Sequence, residues 1–374
     1  MLCFGHDWSG DPLSKTHIMR ILARDNRILW INSIGYRAPT ASARDAKRAW
    51  NKLKQAANPL KKVEHNLWTL SPIAIPAYGM PSVQRVNREL LRFQIKRAMR
   101  KLGMKRPINW VFNPTGSVVA GSLGEDKVVY YCVDEFTAFS GISSQLVEIE
   151  RKLLEKADVV FVSSEKLRAS KSKVNDRTIL VRHGVDFAHF QRALDPATKI
   201  PDDVAKLPKP IIGYFGLMAD DWIDIPLMAA VAKHFSHGSM CLLGKVTTDI
   251  SALTSLPNVH VLGRKPFADL PGYSKAFDVA INPFPINETT LNANPLKVRE
   301  YLAAGLPVVS SRIPEVEVLG DLVHIADDSA GFIGAIEKCL EDPGPKPARS
   351  ESMKNESWEG KVEEIRRHMS QVGS

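Results

Sequence analysis

Short apolar runs rich in β-branched residues recur through the first half of the chain, at residues 1–5, 27–31, 67–71, 108–112, 127–133, 159–163 and 178–182. Helix-periodic segments separate several of them, and such alternation predicts a parallel sheet with helices on both faces. The pattern resumes with strands expected at 211–215, 240–243, 259–262, 279–282, 308–310 and 322–325, spaced by helices such as 224–235. That predicts a second doubly wound domain. Between the two, residues 195–210 are rich in Pro, Lys and Asp with little periodicity, which reads as a linker and the place for a hinge. Beyond Cys339 a polar stretch with three prolines, 341–352, precedes an amphipathic helix at 358–369. The expected division is 1–195, 196–345 and a tail at 346–374.

A chain of 374 residues exceeds one typical core, in keeping with two domains. No stretch approaches the roughly 18 uncharged apolar residues of a spanning helix, so a soluble or peripheral protein is expected. The opening residues lack the charged start and cleavage site of a signal peptide, which points to the cytoplasm. Cys3, Cys132, Cys241 and Cys339 are scattered, and the ten histidines form no ligand-spaced cluster, so buried thiols and no metal site are expected. The net charge of +9 is concentrated: residues 37–106 hold seventeen Lys or Arg against Asp45, Glu64 and Glu89. A basic region of this kind suits an anionic partner, nucleic acid or a phospholipid surface, and the lack of any nucleic-acid-binding signature favours the membrane.

The most informative stretch is 294–309, a helix opened by Pro295, stopped by Gly305 and followed by the β-branched Val308-Val309. Lys297 and Glu300 lie three apart on one helical face, so an ammonium for phosphate oxygens and a carboxylate for ribose hydroxyls point the same way. By itself the pair is equally an ordinary i, i+3 surface pair. Gly216, at the exit of the 211–215 strand, frees backbone N–H groups for a diphosphate or simply makes a tight turn. Neither a Gly-x-Gly-x-x-Gly nor a Walker loop is present, against NAD enzymes and P-loop ATPases.

The ordered set Gly213-Tyr214-Phe215-Gly216, Leu262-Gly263-Arg264, Phe277-Asp278-Val279-Ala280-Ile281-Asn282-Pro283-Phe284 and Pro295-Leu296-Lys297 through Val309 resembles the donor domain of GT-B glycosyltransferases. The resemblance implies two Rossmann-like domains, a C-terminal crossover helix and a nucleotide-sugar co-substrate, with UDP-sugar expected. It puts Arg264 and Lys265 beside the base, Thr289, Thr290, Leu291 and Asn292 by the diphosphate and sugar, and Glu300 on the ribose. Lys297 then compensates the departing nucleoside diphosphate, so neither a metal nor another cofactor is expected. Asn292 replaces a glutamate that retaining members carry, and their Arg and Lys after the first donor-domain strand are missing from 217–222, which leans the reading toward inversion.

In the first half, the strand 127–133 delivers Asp134 at its carboxyl end, where a general base facing an acceptor hydroxyl belongs. The arrangement is similar to that of teichuronic-acid-type transferases and the inverting xanthan glucuronosyltransferase; the alternative is a helix cap or turn. Glu135 is the second candidate. His6 and Asp7, after the first strand, are acceptor-side candidates, Asp7 equally a turn residue. The 182–186 turn resembles one found before GT-B linkers, with Arg182 or His183 as a possible phosphate contact and Gly184 for backbone geometry. Trp358 is expected to anchor the crossover helix.

Two basic helices are expected. In the first, Ala46, Ala49, Trp50, Leu53, Ala57 and Leu60 recur at helical spacing between lysines, the pattern of an interfacial helix or of a solvated connector. The second, 83–102, has a Leu91, Ile95, Ala98, Met99 stripe that belongs to a core. The expected activity is metal-independent hexosyl or glucuronosyl transfer to a glycan or lipid-linked acceptor in cell-surface or exopolysaccharide synthesis, at the inner face of the cytoplasmic membrane and with no nucleic acid involved. The rivals are a UDP-sugar 2-epimerase of the same fold and a non-catalytic sugar-nucleotide-binding scaffold.

Overall fold

The computed structural model describes residues 1–8, 10–32, 59–73, 75, 81–135 and 144–372. The chain divides into two compact units. One comprises Met1–Ser163, Leu167–Val181 and Val362–Ser374, the other Ser164–Lys166 and Arg182–Lys361.

The first unit holds β1 (Leu2–Phe4), β2 (Ile28–Ile31), β3 (Leu60–Glu64), β4 (Leu67–Leu70), β5 (Ile108–Val111), β6 (Lys127–Cys132), β7 (Val159–Val162) and β8 (Thr178–Leu180) in the order β3-β4-β2-β1-β5-β6-β7-β8. All pairings are parallel except β3 with β4. Strands β1, β2 and β7 are buried along their whole length, which is why they read as unbroken apolar runs rather than alternating ones. Leu91, Ile95, Ala98 and Met99 of the helix Pro81–Lys101 pack into this core, as their stripe predicts.

Strand β3 was not foreseen. Leu60, Lys61 and Lys62, expected at the end of an interfacial helix, instead pair antiparallel with Leu70, Thr69 and Trp68. A turn at Asn66, with φ of 54°, reverses the chain in a conformation that asparagine tolerates. The exposed lysines then suit an edge strand. The rest of that expected helix, 46–58, lies outside the described residues.

The second unit holds β9 (Ile211–Phe215), β10 (Ser239–Leu243), β11 (Val259–Gly263), β12 (Val279–Asn282), β13 (Val308–Ser311) and β14 (His324–Ala326), all parallel, in the order β11-β10-β9-β12-β13-β14. The order in which strands are added to the sheet reverses between β9 and β12, so the carboxyl end of β9 is a topological switch point. Along β9 the faces alternate, Ile211 and Phe215 entering one core and Ile212 and Tyr214 the other. Asp224 caps the helix Ile225–His234 by accepting from the Leu227 N–H at 2.9 Å.

The expected hinge is a packed part of this unit. Lys275 Nζ donates to the carbonyls of Asp195, Pro196 and Thr198, and Asp203 accepts from Lys265 and Tyr273. The division falls at Val181/Arg182 instead. Residues 346–361, expected in the tail, also belong here: Ser350 Oγ donates to the Ala303 carbonyl and Arg349 to that of Gly305. Trp358 is buried, donates its backbone N–H to Val185 O at 3.2 Å, and opens the helix Trp358–Gln371, whose later residues Val362 and Ile365 are buried in the first unit.

Candidate functional site

Three neighbouring strands of the second unit leave the sheet through glycine. Gly216, Gly244 and Gly263, with φ of 149°, 140° and 70°, follow or end β9, β10 and β11. Gly244 N–H donates to Gly263 O and Gly216 N–H to Leu243 O, each at 2.9 Å. A Cβ on Gly244 would stand 1.8 Å from the Gly216 carbonyl oxygen, and one on Gly216 would stand 2.7 Å from Lys297 Nζ. Glycine therefore lets backbone lie against backbone and lets the lysine reach it. Gly216 was anticipated; Gly244 was missed, although a glycine immediately after an apolar strand run is the same signal.

Lys297 enters from the first turn of the helix Leu296–Ala303, which Pro295 precedes with φ of −71°. Its Nζ donates to Tyr214 Oη at 2.9 Å and lies 4.4 Å and 4.7 Å from the ring centres of Tyr214 and Phe284. Tyr214 Oη in turn donates to the Leu217 carbonyl at 2.9 Å, which fixes the cradle. Burial pushes the ammonium down to about 7, with Glu300 pulling back up. One turn on, burial pushes Glu300 up to about 8, opposed by Lys297 and reinforced by Asp186. Both keep some accessible surface. A diphosphate beside Nζ would restore its charge, and the unsatisfied N–H groups of the helix start would add to the attraction.

Other anticipated donor residues are placed differently. Lys265 is held by Asp203 at 2.7 Å, over the Tyr273 ring, so its ammonium serves the fold; Arg264 beside it is exposed. The Thr290 hydroxyl is consumed in the capping box of the helix Glu288–Asn292, donating to Pro285 O at 2.5 Å. Asn292 Nδ2 donates to Glu288 O at 2.7 Å, and Thr289 is buried. Leu291 and Phe284 instead line a cavity with Ile286, Arg312 and Phe332, a cavity that neither Lys297 nor Glu300 borders. Arg182 pairs with Glu315 at 2.7 Å, and His183 Nδ1 lies 2.9 Å from Asn294 O in a buried setting that pushes its pKa down to about 4. Those two are structural, and a Cβ on Gly184 would approach the Trp358 nitrogen to 2.9 Å.

In the first unit Asp134 follows β6, half-buried, its carboxyl raised by burial and lowered by Lys15. Lys15, in the first turn of the helix Ser14–Leu22, is lowered by burial, with Asp134 opposing. This partner was missed, and no local signal could give it, because the two residues meet only in the folded chain. His6 is pushed down to about 4 by burial and by Lys15, and is therefore neutral near pH 7; Asp7 is exposed. Glu135 is not a free base. Lys171 holds it at 2.8 Å and holds Glu150 at 3.1 Å, while Tyr130 donates to Glu150 at 2.6 Å, all buried.

Among the described residues no three His, Cys, Asp or Glu are grouped to hold a metal, and the four cysteines are buried and free. No described helix is long and apolar enough to cross a membrane.

Residues 209–342 match the family model for group 1 glycosyl transferases. TuaH of Bacillus subtilis, named as a teichuronic acid biosynthesis glycosyltransferase, is 27% identical over 281 residues, 67% of this chain and 68% of its own. Sucrose-phosphate synthase from Thermosynechococcus elongatus superposes with a TM-score of 0.72 at 16% identity, over 99% of this chain and 98% of that one. HepE of Anabaena, crystallised in complex with UDP-glucose, superposes with a TM-score of 0.69 at 14% identity, over 99% of each chain. Two largely parallel sheets and these likenesses agree: the chain has the GT-B fold, and its residues 209–342 match the group 1 glycosyl transferase family model.

Proposed function

We propose that this chain is a glycosyltransferase that moves a hexosyl or glucuronosyl group from a UDP-sugar to a glycan, lipid-linked in its working form, during cell-surface polysaccharide synthesis. The observation that carries this reading is Lys297, seated at a helix start over Gly216 with Glu300 one turn on, inside the matched domain. The UDP-glucose complex of HepE and the teichuronic acid role named for TuaH support the donor and the polymer class.

The acceptor hydroxyl oxygen attacks the anomeric carbon, its proton passes to the Asp134 carboxylate, and the bond from that carbon to the diphosphate oxygen breaks. UDP leaves with its growing charge met by Lys297 and the helix start, so no metal is required. One displacement of this kind inverts configuration, in keeping with Asn292 where retaining members carry glutamate. Backbone groups at Gly216 and beside Arg264 face the diphosphate and base. The enzyme works in the cytoplasm at the inner face of the membrane, with no nucleic acid partner.

The test is thermal stabilisation by UDP-, GDP- and TDP-sugars, followed by UDP release with an acceptor-rich membrane extract in excess EDTA. Stabilisation by a UDP-sugar, release in chelator and loss of release in Asp134→Ala are expected. Interconversion of donor epimers without transfer would assign an epimerase; donor binding with neither reaction would assign a scaffold. Activity restored only by Mg²⁺ or Mn²⁺ would overturn the metal-free step.

A further inference from the structure

Among the described residues, packing accounts for only one face of the helix Pro81–Lys101. Opposite its buried stripe, Val86 is 53% exposed and Phe93 58%, with Leu90 half-buried between them. Spacings of four and three residues put all three on one side. Ile73 and Ile75, 52% and 41% exposed, are strapped along the same helix. The Gln94 amide exchanges two hydrogen bonds of 2.9 Å with the Ile73 backbone, and Asn87 exchanges bonds of 2.7 and 2.9 Å with that of Ile75. Polar side chains that would otherwise face water are thus spent on holding two isoleucines outward.

Arg85, Arg88, Arg92 and Lys96, again three or four apart, form the adjoining column, and Arg97 and Arg100 continue the exposed side. Glu89 is the only acid in the helix, and Arg92 pairs with it at 3.3 Å. Charge decides between occupants. A second copy would set cations against cations, and nucleic acid would satisfy the arginines but leave Val86, Ile73 and Ile75 against phosphate. An anionic leaflet offers both headgroup charge and an apolar boundary a few ångströms deeper.

We propose that this face docks the chain on an anionic phospholipid surface, with Phe93, Val86 and the two isoleucines entering the headgroup boundary and the arginine column lying at phosphate level. It deepens the reading of a lipid-linked acceptor and rests on it for its purpose, but docking is measured without turnover, so the two fail separately.

The experiment is co-sedimentation of the full chain with phosphatidylglycerol–phosphatidylcholine vesicles and with phosphatidylcholine alone. Binding to the anionic vesicles is expected, with loss at about 1 M salt, where the screening length falls to about 3 Å. Val86→Glu with Phe93→Glu should lower partitioning more than tenfold. Arg85→Gln, Arg88→Gln and Arg97→Gln should each lower it by about fivefold. These side chains are exposed, and an unchanged melting temperature checks the fold of each variant. Equal binding by wild type and the variant combining Arg85→Gln, Arg88→Gln and Arg97→Gln overturns the proposal, as does equal binding to neutral vesicles. A preference for duplex DNA would give the face to nucleic acid, and a dimer in solution that Phe93→Glu dissociates would give it to a second copy.

Discussion

Lys297 and Glu300 sit where burial works against both charges, and in the proposed reading the donor diphosphate offsets the ammonium's. The two should fail differently. Glu300→Ala should raise the Kd for UDP at least tenfold by removing hydrogen bonds to the ribose, whereas Lys297→Ala should lower kcat more than affinity, because leaving-group charge grows toward the transition state. Calorimetry with UDP and steady-state rates separate them; equal UDP affinity in Glu300→Ala contradicts the first claim and a near-normal kcat in Lys297→Ala the second. The lysine also has a stability signature. Its folded pKa, about 7, is below the ordinary lysine value, so its contribution is present above the unfolded range and lost as pH falls through about 7. Lys297→Met should therefore melt higher than wild type below pH 7 without nucleotide, and the difference should shrink as pH rises. Scanning calorimetry across that range checks it. This pair was legible because both residues lie on one turn of one helix. Lys15 beside Asp134 was not, since Lys15 lies in the helix between β1 and β2, far along the chain from β6, and only the fold brings its charge near the carboxylate. Thr290 and Lys265 show the converse: their bonds to a helix cap and to Asp203 were not legible, because a hydroxyl or ammonium in a loop is as useful to a cap or a neighbouring aspartate as to a phosphate.

At the scale of elements, the glycine exits are the most demanding feature. Gly244→Ala would bring a Cβ into the Gly216 carbonyl at 1.8 Å, so it should destabilise the second unit by roughly 1–3 kcal/mol or more and abolish UDP binding with it. Gly216→Ala meets the movable end of Lys297 and the Tyr214 hydroxyl instead of backbone, so although its φ of 149° strains any side chain it should cost less stability than Gly244→Ala while UDP affinity falls. Urea denaturation and UDP titration of the two variants distinguish a damaged sheet from a displaced Lys297. In the first unit, Lys171 joins the helix Glu165–Lys171 to two carboxylates, Glu135 after β6 and Glu150 on the helix Ser144–Lys156. Lys171→Met should cost about 3–5 kcal/mol by leaving both buried acids uncompensated. A urea midpoint unchanged from wild type would contradict it. The strands were readable from apolar runs because helices cover both faces of each sheet. Strand β3 was not, because Lys61, Lys62 and Val63 are exposed and give no inward-facing period.

At the scale of the molecule, the residues assigned to the donor all lie within Arg182–Lys361, while Asp134 and Lys15 lie in the other unit. The repeated strand-helix grammar made two sheets legible, but composition misplaced their border. Residues 195–210 look like a linker because their carbonyls and the Asp203 carboxylate accept from Lys275, Lys265 and Tyr273 of the second unit instead of building a periodic element. The final helix ties the arrangement together through sequence alone: Trp358 begins it among second-unit residues, and Val362, Ile365 and Arg366, the last paired with Asp25 at 2.8 Å, continue it in the first. Lys127 Nζ at the start of β6 also donates to the Val372 carbonyl at 2.5 Å. Removing residues after Lys361 should therefore strip apolar cover from the first unit and leave every donor residue in place. The truncated chain should bind UDP within about threefold of wild type, a difference of under about 1 kcal/mol, yet lose transfer. Hydrogen exchange should quicken in β6 and β7 but not in β9 to β13, because local stability follows local burial. Loss of UDP binding in step with transfer would show that the donor site depends on the tail, and would refute the separation of roles between the two units.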